Sequence, residues 1–165
     1  MNRHILEKMQ IVGGFTPVNM ATAANNGDWV SLKNYGRCAI VLFKGTGTAA
    51  EDPVITVQQA TDVSGTTSKS LTFTRIDTKA GTLSSVSQFT TATQAAAATY
   101  TFDAGDVEGI CVIDIKAEDL DKANGYDCIR ANIADVGTTA QIGGVLYLLH
   151  EPRFASATLP GAITD

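Results

Sequence analysis

Arg37-Cys38-Ala39-Ile40-Val41-Leu42-Phe43 is the stretch that decides the fold of this 165-residue chain. Every residue after Arg37 is apolar, whereas a strand with one face in water alternates apolar and polar residues. An unbroken apolar run of this length is typical of a strand that is buried on both faces. We therefore expect residues 37–43 to form a central strand of a sheet.

Further short strands follow this run, with turn residues between them. Residues 53–59 are rich in β-branched side chains, and residues 71–76 alternate so that Leu71 and Phe73 face inward. The short polar segment 62–68 between these two strands predicts that they form a hairpin. The other predicted strands are residues 88–93, 100–103, 109–115, 127–133 and 144–149.

About eight strands at this spacing predict an all-β fold, namely an antiparallel β-sandwich that is jelly-roll-like. We expect one domain over residues 1–165, with residues 1–16 as an extended N-terminal arm. Residues 151–165 are predicted to be an extended C-terminal tail, because two prolines prevent a helix or a central strand there. The tail carries three spaced apolar side chains, at Phe154, Leu159 and Ile163, which suit an arm that binds its own domain or a neighbour.

Helix is scarce in the sequence. The best candidate, residues 117–122, spans barely two turns and stops before Gly125, so we expect a connector. The alanines at residues 95–98 favour helix, but the flanking Thr93, Thr99 and Tyr100 do not. We therefore interpret residues 95–98 as a loop.

The composition excludes several classes of protein. The hydrophobic fraction of 44% is too high for a disordered chain, and no apolar run approaches the roughly 20 residues of a transmembrane helix. Twelve Lys and Arg against 17 Asp and Glu give a net charge of -5, which disfavours wholesale binding to nucleic acid. We expect a mildly acidic domain that binds neither nucleic acid nor membrane.

The search for catalytic residues finds none. The two histidines, His4 and His150, lie near opposite ends of the sequence, and no serine occupies a G-x-S-x-G motif. Residues 45–50 match G-x-G-x-x-A, but two carboxylates and a proline follow where the dinucleotide motif requires a helix. This segment is therefore a glycine turn, and we predict that the chain is not an enzyme and has no cofactor.

Metal-ligating patterns are equally weak. The acidic run from Asp119 resembles the start of a calcium-binding EF-hand loop, but its glycine falls at position 7 and Arg130 occupies position 12. The default interpretation is a solvated acidic connector, with a calcium site of non-EF type as the alternative, and we assign no metal site. Cys38, Cys111 and Cys128 all lie in predicted strands, where we expect buried thiols; a disulfide between two of them stays possible if the strands align.

Residues 80–102 contain no charged side chain. Loops that face water usually carry charges, so this segment is either packed against another subunit or a neutral hairpin in solvent.

Four stretches together resemble a family of small virion proteins of tailed bacteriophages: residues 29–37, residues 57–63, residues 119–130 and residues 151–154. They occur in the same order over nearly the whole chain. The resemblance implies a structural head protein, most plausibly a decoration (cement) protein. Such a protein is assembled in the host cytoplasm and binds the capsid exterior. The partners that it implies are the major capsid protein and further copies of this chain, as a homotrimer.

A different class of function is a glycan- or host-binding module of a head fibre or tail. Sugar sites stack a ring on an exposed aromatic side chain, and Trp29 has suitable polar neighbours at residues 25–28. The alternative interpretation of Trp29 is a core or hairpin-closing residue.

Overall fold

The computed structural model describes residues 4–154 and 158–163, which form two antiparallel β-sheets packed face to face. The predicted all-β sandwich is confirmed, and its jelly-roll connectivity stays a prediction. In chain order the strands are β1 Met9–Asn19, β2 Asn25–Asn26, β3 Val30–Ser31, β4 Tyr35–Lys44, β5 Val54–Ala60, β6 Ser68–Ser70, β7 Phe73–Ala80, β8 Thr90–Ala97, β9 Thr99–Thr101, β10 Gly109–Lys116, β11 Cys128–Ile133 and β12 Ile142–Pro152.

The two sheets differ in the length of their strands. Sheet A has the strand order β1-β12-β4-β10-β7-β8 and contains the long strands. Sheet B is built on β11 and β5, which pair along their whole length, and its margins are the short strands β2, β3, β6 and β9. Sheet A is therefore the broad layer of the sandwich, and sheet B covers one of its faces.

The core lies between the sheets. Alternate residues of β4, β10 and β12 point inward and meet residues of β5 and β11, as the two-residue period of a strand requires. The inward side chains are nearly inaccessible to solvent: Cys38, Ile40, Leu42, Cys111, Ile113, Ile115, Val145, Tyr147, Leu149, Ile55, Val57, Ile129, Ala131 and Ile133.

Strand β4 lies in the interior of sheet A, between β12 and β10, as its sequence predicts. The prediction that both of its faces are buried is wrong for the described chain. Ile40 and Leu42 are buried, whereas Val41 is half-buried and Phe43 is exposed. Sheet B covers only the inner face, so the outer face of β4 keeps its apolar side chains at the surface.

The predicted hairpin between residues 53–59 and residues 71–76 is also wrong. β5 pairs with the short β6, whereas β7 belongs to sheet A and pairs with β10 and β8. The chain crosses between the sheets at Leu71, whose backbone N–H donates to the carbonyl of Val57 at 3.0 Å. Sequence shows that both segments are strands, but not that they join different sheets.

Two segments that were expected to be irregular are strands. Residues 95–97 of the predicted alanine loop belong to β8, because the pairing of this strand with β7 outweighs the helix propensity of alanine. Half of the predicted N-terminal arm, residues 9–16, belongs to β1, which pairs with β12. Gly14 permits this pairing, because a Cβ there would lie 2.8 Å from Val145 Cγ1 and 3.1 Å from the Tyr147 ring.

The predicted C-terminal tail folds back onto its own domain. Residues 151–152 complete β12, and residues 155–157 and 164–165 lie outside the described residues. The Tyr35 hydroxyl donates to the carbonyl of Pro160 at 2.6 Å, and the Ser31 N–H donates to the carbonyl of Ala162 at 2.6 Å. Of the three predicted apolar anchors Leu159 is buried, whereas Phe154 and Ile163 are exposed.

Within the described residues the helical segments are three short 3-10 helices, Ile5–Glu7, Ala117–Asp119 and Lys122–Asn124. The last two replace the single short helix predicted at residues 117–122 and serve as the expected connector between β10 and β11. Gly125 ends the third helix in the left-handed conformation, with φ of 80°. Residues 45–50 form the predicted turn between β4 and β5, and a strand follows them.

Candidate binding surface

The outer face of sheet A is apolar across its central strands. The register places Leu146 of β12, Val41 of β4 and Val112 of β10 side by side in one row. Phe43 and Ile110 are neighbours in the adjacent row. This surface is called the apolar face below, and its members are Ile11, Ala39, Val41, Phe43, Ile110, Val112, Ile142, Leu146 and Leu148.

The large side chains of the apolar face remain accessible to solvent. The exposed fraction is 57% for Phe43, 52% for Ile142, 46% for Leu146 and 45% for Ile11. Within residues 4–154 and 158–163, no element covers these four side chains. Large contiguous apolar patches on a protein surface are common sites of contact with another molecule.

A charged rim borders the apolar face at one end. Both Nη2 and Nε of Arg37 donate to Asp114 Oδ2, at 2.6 Å and 3.0 Å, and His150 Nε2 lies 3.3 Å from Asp114 Oδ1. The hydrogen bond to Asp114 raises the pKa of Arg37, so the guanidinium stays charged. His150 therefore lies on the last strand, β12, beside a carboxylate and a guanidinium.

A second part of the rim lies on β7. Arg75 pairs with Asp77 at 3.0 Å, and the Lys79 ammonium lies 4.7 Å from the centre of the Phe89 ring. The bonds from Arg75 and from the Thr91 hydroxyl lower the pKa of Asp77. An apolar centre with a rim of hydrogen-bonded charges is the usual arrangement of a protein–protein interface.

The outer face of sheet B has a different chemistry. Arg130 Nε donates to Gln58 Oε1 at 2.8 Å, and Asn132 Nδ2 donates to Asn26 Oδ1 at 2.6 Å. These side chains satisfy one another along the sheet, which suits a face in water. The two outer faces thus differ: the outer face of sheet B carries hydrogen-bonded polar side chains, whereas the outer face of sheet A exposes apolar side chains to solvent.

Trp29, the candidate for sugar stacking, is only 9% exposed and packs with Ala60 and Cys128. The Arg130 guanidinium lies 4.7 Å from the centre of a Trp29 ring. Gly65, at φ of 71°, approaches the indole so closely that a Cβ would lie 2.2 Å from Nε1. These contacts fit the interpretation of Trp29 as a packed residue better than that of a stacking platform.

The other candidates from the sequence do not converge on a site. Asp121 is held by Lys69 and by Asn124, and Asp119 accepts the backbone N–H of Lys116. In the part of the chain that the structure describes, no three His, Cys, Asp or Glu side chains are grouped to hold a metal. No helix there is long and apolar enough to cross a membrane.

The three cysteines are buried thiols in β4, β10 and β11, as predicted. Burial raises the pKa of Cys38 and raises that of Cys111 to about 12. Both thiols are therefore protonated near neutral pH, which makes them poor nucleophiles.

The uncharged segment, residues 80–102, is split between surface and core. Five of the eight residues of β8 are exposed and the other three half-buried, whereas Phe102 is buried. This segment leaves sheet A at one edge and enters sheet B through β9.

Sequence reasoning missed the apolar face, although the signal was present. Residues 38–43 are apolar without interruption, and residues 145–149 of β12 are almost as apolar. Sequences of this kind predict strands that are buried on both faces. They do not tell whether the element that packs on the second face belongs to the same chain.

Comparison of the chain with protein-family models, with curated proteins and with solved structures gives no match. The resemblance to phage virion proteins therefore stays a prediction.

Proposed function

We propose that this chain is a structural subunit that performs no catalysis and binds other subunits of a phage head through the apolar face. The uncovered apolar side chains on the outer face of sheet A carry this proposal. Three adjacent strands present such side chains there, including Phe43 on β4, Ile110 on β10 and Leu146 on β12. A partner that covers this face would give these strands the second buried face that their sequences favour.

The shape of the surface suits a partner that is itself a folded protein. The face is a sheet of six strands rather than a cleft, and its apolar side chains come from at least four of them. A large flat contact with a polar rim is typical of subunit interfaces, whereas small ligands bind in concave pockets. Many copies on a symmetric shell would also gain from multivalency.

The resemblance in sequence gives the particular form of the proposal. The partner is the major capsid protein, the location is the outside of the head, and copies of the chain associate, with a homotrimer as the expected form. A net charge of -5 suits the outer surface better than contact with packaged DNA.

The test uses particles of the phage whose genome carries this gene. Particles that lack the chain are mixed with purified protein, and the bound fraction is measured by co-sedimentation. We expect saturable binding to heads by the wild type and at least about tenfold weaker binding by the double variant Phe43→Gln/Leu146→Gln, since interface hot spots each exceed 1 kcal/mol.

The matched control is Ile5→Gln/Leu6→Gln. It also replaces two large apolar side chains, with exposed fractions of 63% and 58%, but outside the strands of sheet A. The control should bind as the wild type does. Full binding by the Phe43/Leu146 variant, or wild-type protein found only on tails, would contradict the proposal. A positive glycan array would instead favour the host-binding alternative.

A further inference from the structure

We infer that β8 is a pairing edge, along which two copies of this chain join their A sheets in antiparallel fashion. β8 pairs with β7 on one side, and no strand of the described residues pairs with its other side. Alternate backbone N–H and C=O groups therefore point outward along the regularly paired part of this strand, Thr90–Thr93. This inference concerns an edge of the sheet and does not rest on the function proposed above.

The stretch Thr90–Thr93 of β8 lacks the features that normally protect an edge strand. Natural edges carry charged side chains, proline or β-bulges, are very short, or are covered by a loop. The sequence of β8, Thr-Thr-Ala-Thr-Gln-Ala-Ala-Ala, contains no charge and no proline. A register shift interrupts its pairing with β7 only beyond Thr93, and Thr90–Thr93 pair with consecutive residues.

The opposite edge of the same sheet is protected. β1 contains Pro17, which cannot donate a backbone hydrogen bond, and two register shifts interrupt its pairing with β12. The carbonyl of Gly14 accepts the N–H of Asp28 at 2.9 Å, so a neighbouring segment occupies part of this edge. Head-to-tail pairing of β8 with β1 of another copy is therefore disfavoured.

The strands at the margins of sheet B are less suited than β8 to pairing with a strand of another copy. β2 has two residues, and β6 and β9 have three each. The central residue of β6 is Lys69, which pairs with Asp121. β8 is thus the long edge without protection in the described chain.

A second copy of β8 is the occupant that this edge fits best. Two antiparallel copies related by a twofold axis would place Thr and Ala opposite Thr and Ala, without like-charge repulsion. Both faces of β8 are largely exposed, and residues 80–102 bring no charge that would lose its hydration. Pairing along Thr90–Thr93 would join two six-stranded sheets into one continuous sheet.

The test measures self-association of the full chain by sedimentation velocity over a range of concentrations. We expect the mass of the wild type to rise from 17.3 kDa toward twice that value. The double variant Thr91→Lys/Thr93→Lys should weaken association at least about tenfold, because the twofold axis would bring four lysines together. The control Thr99→Lys/Thr101→Lys adds the same charge at the same spacing on β9 and should associate as the wild type does.

Crosslinking gives a second measurement that does not depend on the lysine variants. Single cysteines introduced at Thr91, Ala92 or Thr93 should give at least one disulfide-linked dimer on mild oxidation, because two paired β8 strands bring these positions close together. The native thiols are buried and should not form crosslinks themselves. Thr101→Cys should not crosslink.

Three results would overturn the inference: a wild type that stays monomeric, association that the β8 variants leave unchanged, or a trimer without crosslinks at β8. Association that is lost only in Phe43→Gln/Leu146→Gln would assign self-association to the apolar face instead. Because heads and copies of the chain are assayed separately, failure here leaves binding to the capsid protein standing, and the reverse also holds. A closed twofold dimer would, however, replace the homotrimer that the resemblance implies.

Discussion

The two faces of sheet A are built from the same strands and from similar side chains, yet they have different surroundings. In β4, Leu42 is 1% exposed beneath sheet B, whereas its neighbour Phe43 is 57% exposed on the other face. In β12, Tyr147 is buried and Leu146 is 46% exposed. The difference shows that the apolar character of a residue alone does not tell whether its side chain is buried in the core or exposed at the surface.

The outer face of sheet B provides a second comparison with the apolar face. Arg130 and Gln58 lie on this face, and their polar side chains are hydrogen bonded to each other. This chain therefore does place polar side chains on a face that meets water. The apolar face of sheet A differs from this pattern. The four predictions below compare how much residues on the inner and outer faces of sheet A contribute to the stability of the fold.

Replacing Leu42 by alanine should have the largest effect. Leu42 is buried between the sheets, so Leu42→Ala should lower the free energy of unfolding by about 2–5 kcal/mol through lost burial and a cavity. Phe43→Ala, one position along, should cost less than about 1 kcal/mol. Urea unfolding of both variants measures the two costs. Equal losses would show that Phe43 belongs to the core and would remove the contrast between the faces.

Tyr147→Phe should have an intermediate effect. The Tyr147 hydroxyl accepts the backbone N–H of Ala131 at 2.9 Å and so connects the inner faces of the two sheets. Removing the hydroxyl leaves a buried N–H without its partner, which should cost about 1–3 kcal/mol. Thermal or urea unfolding gives the value, with Leu146→Ala on the outer face as the control. A neutral result would mean that water replaces the hydroxyl.

The third prediction concerns pH and Lys44, the last residue on the inner face of β4. Its ammonium donates to the carbonyl of Val107 at 2.6 Å and also to that of Ala104, and the side chain is buried. Burial lowers the pKa of Lys44 below its ordinary 10.5, against the opposing effect of the carboxylates of Asp52 and Asp106.

The unfolded chain therefore binds the proton of Lys44 more tightly than the folded chain does. Between the lowered pKa and 10.5, this group makes the free energy of unfolding rise with pH. The wild type should gain stability relative to Lys44→Met as the pH rises through this window. Denaturant unfolding at several alkaline pH values measures the difference, and a constant difference would contradict the assigned shift.

The smallest change in stability should follow Val41→Thr/Val112→Thr on the apolar face. Both residues are half-buried and keep a β-branched side chain, so we expect a loss below about 1 kcal/mol. Retention on a hydrophobic column should fall, because two apolar side chains of the exposed face become polar. The buried Val57→Thr is the control, and it should lose stability without a matching change in retention.

The sequence predicts the strands of the sandwich better than their arrangement. The run at residues 38–43 correctly places β4 in the interior of a sheet, because few other elements tolerate six consecutive apolar residues. The pairing of residues 53–59 with 71–76 was wrong, since a chain that crosses between sheets has the same local pattern as a hairpin. β8 was missed in part because alanine prefers helix, and only its pairing with β7 determines the strand.

The candidate surface was only partly predictable. The signal for a second buried face was present in β4, but sequence reasoning assigned that cover to the same chain. Register decides which residues share the face, and register depends on pairing between residues as distant as Val41 and Leu146. The uncharged segment 80–102 was recognised from composition, and the structure adds that its exposed part is a sheet edge.

The folded-back tail has a mechanical consequence. Ala162 is hydrogen bonded to Ser31 in sheet B, and Pro160 to Tyr35 at the start of β4 in sheet A. A force that pulls on residue 163 therefore loads the bond between Ala162 and sheet B first and the bond between Pro160 and sheet A next, before it reaches β12. The tail would thus resist tension applied to that end of the chain.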